Sequence, residues 1–143
     1  MIIQWVTIHV KDMETSRKFY EDILGLKMLR SFSPGPGRQI TFLGMDGGSQ
    51  IELICEEGAG EYAVEEYAAG KRASEEHVTE ECAAGQAVSV GILAEDFENI
   101  YQKSEEKGIP RTERKVLGKN TECFFLTDPN GVRLQIIRGG EEQ

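Results

Sequence analysis

The chain has 143 residues, 39% of them hydrophobic and 29% charged, with a formal net charge of −9. That length suits one compact domain or two small halves sharing a core, and no apolar run approaches the length of a membrane span. Between Glu56 and Ala84, nine glutamates against Lys71 and Arg72 supply −7 of the −9, a balance that repels phosphate backbones and anionic lipid and so disfavours nucleic-acid and membrane partners.

Met1-Ile2-Ile3-Gln4 lacks the basic and long apolar regions of a secretory signal. Three cysteines, Cys55, Cys82 and Cys123, are odd in number and not at zinc-site spacing. Incidental thiols in a reducing cytoplasm are therefore expected. Residues 2–10 read as a strand in which Trp5, Thr7 and His9 share one face, while Val6, Ile8 and Val10 pack against helices. Asp12 is suited to cap a helix, which carries Met13, Phe19, Tyr20, Ile23 and Leu24 at helical spacing and ends at Gly25, fit for the left-handed position. Three strands follow, over 26–33, 39–45 and 49–55, separated by "SPGPG" and "MDGG".

Residues 56–84 form an acidic joining segment that reads as a linker or a flap over a cleft. A short helix is predicted within it, with Tyr62, Val64, Tyr67 and Ala68 as its apolar side. The order then repeats. A strand over 87–93 precedes a helix capped by Asp96, carrying Phe97, Ile100 and Tyr101 and ending at Gly108. Strands follow over 109–117, 121–127 and 132–138, with turns "LGKN" and "DPNG" between them. Both halves read β-α-β-β-β, giving a first module over 1–55 and a second over 85–143.

The most specific stretches are "HVKDMETSRKFYEDILGLKML" at 9–29 and "FFLTDPNGVRLQII" at 124–137. With the duplicated order, they make the chain resemble the vicinal oxygen chelate superfamily, which includes glyoxalase I, extradiol dioxygenases and bleomycin resistance proteins. The resemblance implies an α+β fold of two βαβββ modules, each a curled mixed sheet, that together enclose a cleft. It also implies a homodimer.

Metal-dependent members of that superfamily place one ligand on the first and one on the last strand of each module, usually His or Gln, Glu, His and Glu. Carried onto this chain, those positions fall on Trp5, Glu52, Ser89 and Gln135. Glu52 is a good ligand and Gln135 a weak one, whereas a catalytic divalent ion normally needs at least three. The expectation is a small-molecule-binding protein without a cofactor, whose cleft is lined by Trp5, Thr7, His9, Ser89 and Gln135. Glu52 would act there as general base or as holder of a ligand cation. An aromatic or cationic ligand suits the indole and the acidic balance. The alternative is a metal-dependent glyoxalase-like lyase, isomerase or dioxygenase that holds Ni, Zn, Mn or Fe through an atypical set such as Glu52, Gln135 and His9. Plainer roles stand beside these: Trp5 filling a vestigial cleft, Glu52 and Gln135 as a structural pair, and His9 satisfied by local hydrogen bonds. His77 could join a relocated metal site if the acidic segment folds over the cleft.

Overall fold

The structure is a computed structural model that describes residues 1–58 and 87–139. The chain divides into two compact units, Met1–Arg72 and Ala73–Gln143. The helix predicted around Tyr62 and Tyr67, together with His77 and Cys82, lies outside the described residues.

The first unit runs β1 (Trp5–Val10), α1 (Met13–Lys18), a π-helical turn (Phe19–Ile23), β2 (Lys27–Gly35), β3 (Arg38–Gly44) and β4 (Gln50–Glu56). The second runs β5 (Val90–Ala94), α2 (Phe97–Glu106), β6 (Lys115–Leu117), β7 (Thr121–Thr127) and β8 (Arg133–Arg138). Each unit forms a four-stranded mixed sheet, in the order β1-β4-β3-β2 or β5-β8-β7-β6. The first and last strands of a unit pair in parallel, and the other pairs are antiparallel. Two βαβββ modules of mixed sheet are thus present, as the sequence implies.

Local chemistry accounts for the helix ends. The Asp12 carboxylate accepts from the Thr15 amide at 2.9 Å and from the Thr15 hydroxyl, which occupies an otherwise orphaned donor of the first turn. Gly25 adopts φ +70°, and its amide donates to the Glu21 carbonyl at 3.1 Å. Gly108 does the same work after α2 at φ +64°, where the Ile109 amide reaches the Ser104 carbonyl at 2.8 Å. Asp96 sits at the start of α2 but makes no side-chain capping bond, a departure from its expected role. Its backbone (φ −90°, ψ 37°) lies outside the extended conformation of an N-cap.

Two further departures are found. The first helix widens into the π-helical turn after Lys18, in which Phe19, Tyr20 and Ile23 are all buried. The strand expected over 109–117 shrinks to Lys115–Leu117. Pro110 has no amide to donate to a ladder, and residues 109–114 instead make one bridge, Arg111 to Leu126, with the Thr112 hydroxyl capping the Phe125 amide at 3.1 Å.

Both faces of the first sheet bury apolar residues, with Ile40, Phe42 and Ile54 on the face of Thr7 and Glu52. Ile8 and Val10 of β1, Ile51 and Leu53 of β4 and Leu43 of β3 are buried with Met13, Tyr20 and Ile23 of the helical segment. In the second unit Phe124 is fully buried between Phe97 and Tyr101 of α2, at centroid distances of 5.0 and 4.9 Å and nearly perpendicular. These are favourable edge-to-face pairs.

An ionic cluster lies beside those aromatics. Arg138 donates from Nε to Glu122 at 2.6 Å and from Nη2 to Glu98, while Arg114 donates to Glu98 at 2.9 Å. The Arg111 and Arg114 guanidinium centres lie 3.7 and 4.2 Å from the Tyr101 ring. The hydrogen bond from Arg138, aided by Arg114, holds the Glu98 carboxyl below its ordinary pKa. A carboxyl depressed on folding stabilises the chain above its unfolded value and loses that contribution as pH falls through the lowered one. Glu98→Gln is therefore expected to flatten the acid side of a plot of thermal midpoint against pH, below about 4.5, and to change little near neutrality. The effect should be small, because the group is exposed.

Candidate functional site

The register of the first unit decides which side chains meet. Thr7 pairs with Glu52, Glu52 with Phe42, and Phe42 with Arg30. Paired residues project from the same face, so these four form one row across all four strands. The contacts agree. The Thr7 hydroxyl donates to Glu52 Oε2 at 2.6 Å. The Arg30 guanidinium centre lies 4.0 Å from the Phe42 ring centroid. Trp5 meets the same ring edge-on, at 5.7 Å and 87°.

Trp5 itself pairs with Gln50 and His9 with Ile54. Glu52 therefore stands midway between them, two residues along the strand from each, roughly 6–7 Å by the rise of an extended chain. His9 is as near the carboxylate's row as Trp5 is. Trp5, Thr7 and His9 are exposed, and Glu52 is half-buried. The indole keeps 46% of its surface accessible, so Trp5 is not filling a packed interior. On the same face Ile40 and Ile54 form a buried apolar cluster with Phe42, joined by Leu29.

Two of these residues were not singled out in the sequence. Phe42 and Arg30 carry no motif. Their only signal is parity within "MLRSF" and "ITFL", which gains meaning once the strand register is known.

In the second unit the corresponding row is Gly91, Gln135 and Phe125. Gln135 is half-buried, with Nε2 3.6 Å from Cys123 Sγ, and the Arg133 guanidinium centre lies 4.0 Å from the Phe125 ring. Ser89 precedes β5 and is exposed. Gly91, not Ser89, stands opposite Gln135.

A divalent ion does not fit the set Trp5, Glu52, Ser89 and Gln135. An indole N–H donates and has no lone pair to offer. The one carboxylate already accepts from Thr7. Among the described residues no three His, Cys, Asp or Glu side chains come together as a metal-holding group. What the first unit does present is the half-exposed indole of Trp5 braced by the buried Phe42 ring, with the Thr7-anchored Glu52 carboxylate and the Arg30 guanidinium on the same face.

Residues 2–136 match the family profile of the Glyoxalase/Bleomycin resistance protein/Dioxygenase superfamily. The chain belongs to that superfamily. Within it, the chain is 28% identical to lactoylglutathione lyase of Haemophilus influenzae, over 96% of this chain and 92% of that protein. It is 30% identical to lactoylglutathione lyase of Salmonella typhimurium, over 91% and 87%. Among solved structures of the superfamily, the trypanothione-dependent glyoxalase I of Leishmania major superposes with a TM-score of 0.69 at 20% identity, over 96% of this chain and 86% of that one. An E144Q mutant of glyoxalase I from Zea mays superposes at 0.71 and 19% identity, and this chain spans 46% of it. Among the described residues no helix is long and apolar enough to cross a membrane.

Proposed function

We propose that this protein binds a flat small molecule on the β1–β4–β3 face of its first module, without a metal ion. The observation that carries this reading is Trp5. A half-exposed indole, braced edge-on by Phe42, occupies the position where the superfamily resemblance calls for a metal ligand. Aromatic faces of this kind hold planar apolar bodies. Glu52, positioned by Thr7, supplies an acceptor beside that body, and His9 supplies an imidazole two residues further along the strand. Glu52 would serve as anchor, or as general base if the bound molecule is turned over. On the second module, Ser89 and Gln135 are proposed as ligand-binding residues.

Metal-dependent lactoylglutathione lyase chemistry is the second reading. The names of the relatives at about 30% identity favour it, and the donor set described above opposes it.

The deciding experiment is metal uptake. Purified protein is dialysed against Ni²⁺, Zn²⁺, Mn²⁺ and Fe²⁺ in turn, and bound metal is quantified in wild type and Glu52→Ala. The expected result is no near-stoichiometric binding in either. Stoichiometric metal that disappears in Glu52→Ala would overturn the metal-free reading. In parallel, the single tryptophan reports directly on the site, so titration with planar aromatic compounds is expected to quench its fluorescence.

A homodimer is part of the same proposal. Ile3, Leu93 and Val116 are 76%, 68% and 67% exposed along edge strands or beside them, where such apolar side chains invite a partner. Sedimentation velocity should give twice the mass of the chain.

A further inference from the structure

We infer that the ligand of the first module carries a carboxylate, read by Arg30, on a flat body resting on Trp5. This rests on the reading of that face as a binding site, and goes beyond it by naming the class of compound.

Arg30 differs from five of the other described arginines. Arg17, Arg38, Arg111, Arg114 and Arg138 each lie within ion-pairing distance of a glutamate. Among the described residues no carboxylate lies that close to Arg30. Its neighbours are two rings, Phe42 at 4.0 Å and Phe32 at 6.0 Å. A guanidinium stacked on a ring uses its flat face for the contact and keeps its N–H donors in plane, as a fork matched to a carboxylate. The ring also restrains the side chain, so less conformational freedom remains to be lost when an anion arrives. Arg30 is exposed, so a ligand can reach it from solvent.

The row gives the ligand a direction. Arg30 and Glu52 stand on β2 and β4, with Phe42 of β3 between them. Two strand spacings separate their backbones by roughly 10 Å. A carboxylate is attracted to the β2 end and repelled from the β4 end. The bound compound is thereby oriented with its anion over β2 and its body towards Trp5. A hydrogen-bond donor at the far end would meet Glu52. The acidic segment that favours a cationic ligand lies mostly outside the described residues. On this face Arg38 is paired with Glu56, and Arg30 is the guanidinium left beside the rings.

The test is calorimetric titration of full-length protein with 2-naphthoate and with its neutral isostere 2-naphthamide, using wild type, Arg30→Gln and Trp5→Ala. Wild type is expected to prefer the carboxylate by about tenfold, with the preference shrinking as ionic strength rises. Arg30→Gln should abolish the preference and leave naphthamide affinity unchanged, while Trp5→Ala weakens both compounds together. Equal binding of the two compounds, or a preference that survives Arg30→Gln, would overturn the anion assignment while leaving Trp5-dependent binding intact. Failure of both compounds to bind would overturn the site as well. Arg30→Lys, which keeps the charge but loses the fork, should fall between wild type and Arg30→Gln. An unchanged thermal midpoint in the Arg30 variants confirms that folding is not what changed.

Discussion

Phe124→Ala should lower the unfolding free energy by about 3–5 kcal/mol. The ring is fully buried and packs edge-on against both Phe97 and Tyr101. Its loss removes its own transfer energy and both ring contacts, and leaves a hole whose walls are themselves aromatic and slow to collapse. Against a total stability of order 5–15 kcal/mol for a domain of this kind, that loss is a large share. Urea unfolding followed by circular dichroism measures it, and Phe124→Leu should recover more than half. A loss under about 1 kcal/mol would mean that α2 does not depend on this contact.

The second large effect concerns binding. Glu52→Gln should weaken by about tenfold a Trp5-quenching compound that carries a hydrogen-bond donor at the end away from Arg30, since a hydrogen bond to a charged group contributes about 1.5–3 kcal/mol and partial exposure favours the lower end. Thr7→Val should act in the same direction but more weakly. It leaves the carboxylate in place and removes the 2.6 Å bond that fixes which oxygen faces outward. Thr7→Ser, which restores a hydroxyl, should return the affinity. If Thr7→Val and Glu52→Gln both leave binding unchanged, the ligand lies elsewhere on the module.

Much of the fold is legible in the sequence because its signals are local. Asp12 and Gly25 bracket the first helical segment, Gly108 closes the second, and "DPNG" sets a turn in which the Asp128 side chain accepts from the Asn130 and Val132 amides. Those cues require only neighbours in the chain. The stagger of β1 against β4 is different. Nothing within "WVTIHV" or "QIELIC" states that Glu52 stands opposite Thr7 instead of Trp5, because both choices keep the same apolar residues inside. The inner and outer faces were therefore readable, but the partners on the outer face were not.

The same limit hid Phe42 and Arg30, whose importance lies wholly in pairing across strands. The π-helical turn was hidden for another reason. Phe19, Tyr20 and Ile23 fit an ordinary helix in sequence, and only packing of all three inward forces the wider turn. At 109–117 the apolar pattern reads as a continuous strand, but pairing before Lys115 is confined to the Arg111–Leu126 bridge, where the Thr112 hydroxyl takes the Phe125 amide.

The parallel pairing of first strand with last has a consequence for how the protein is made. Thr7 and Glu52 are 45 residues apart, and the other module repeats the arrangement between β5 and β8. During synthesis β1 emerges early but finds no strand to join until β4 has followed, whereas β2, β3 and β4 assemble by short hairpins. Closing so long a loop carries an entropic cost that local hairpins do not, and such distant pairings slow folding. The strand bearing Trp5, Thr7 and His9 is thus the last of its module to take its place, and the site comes into being only with that closing step.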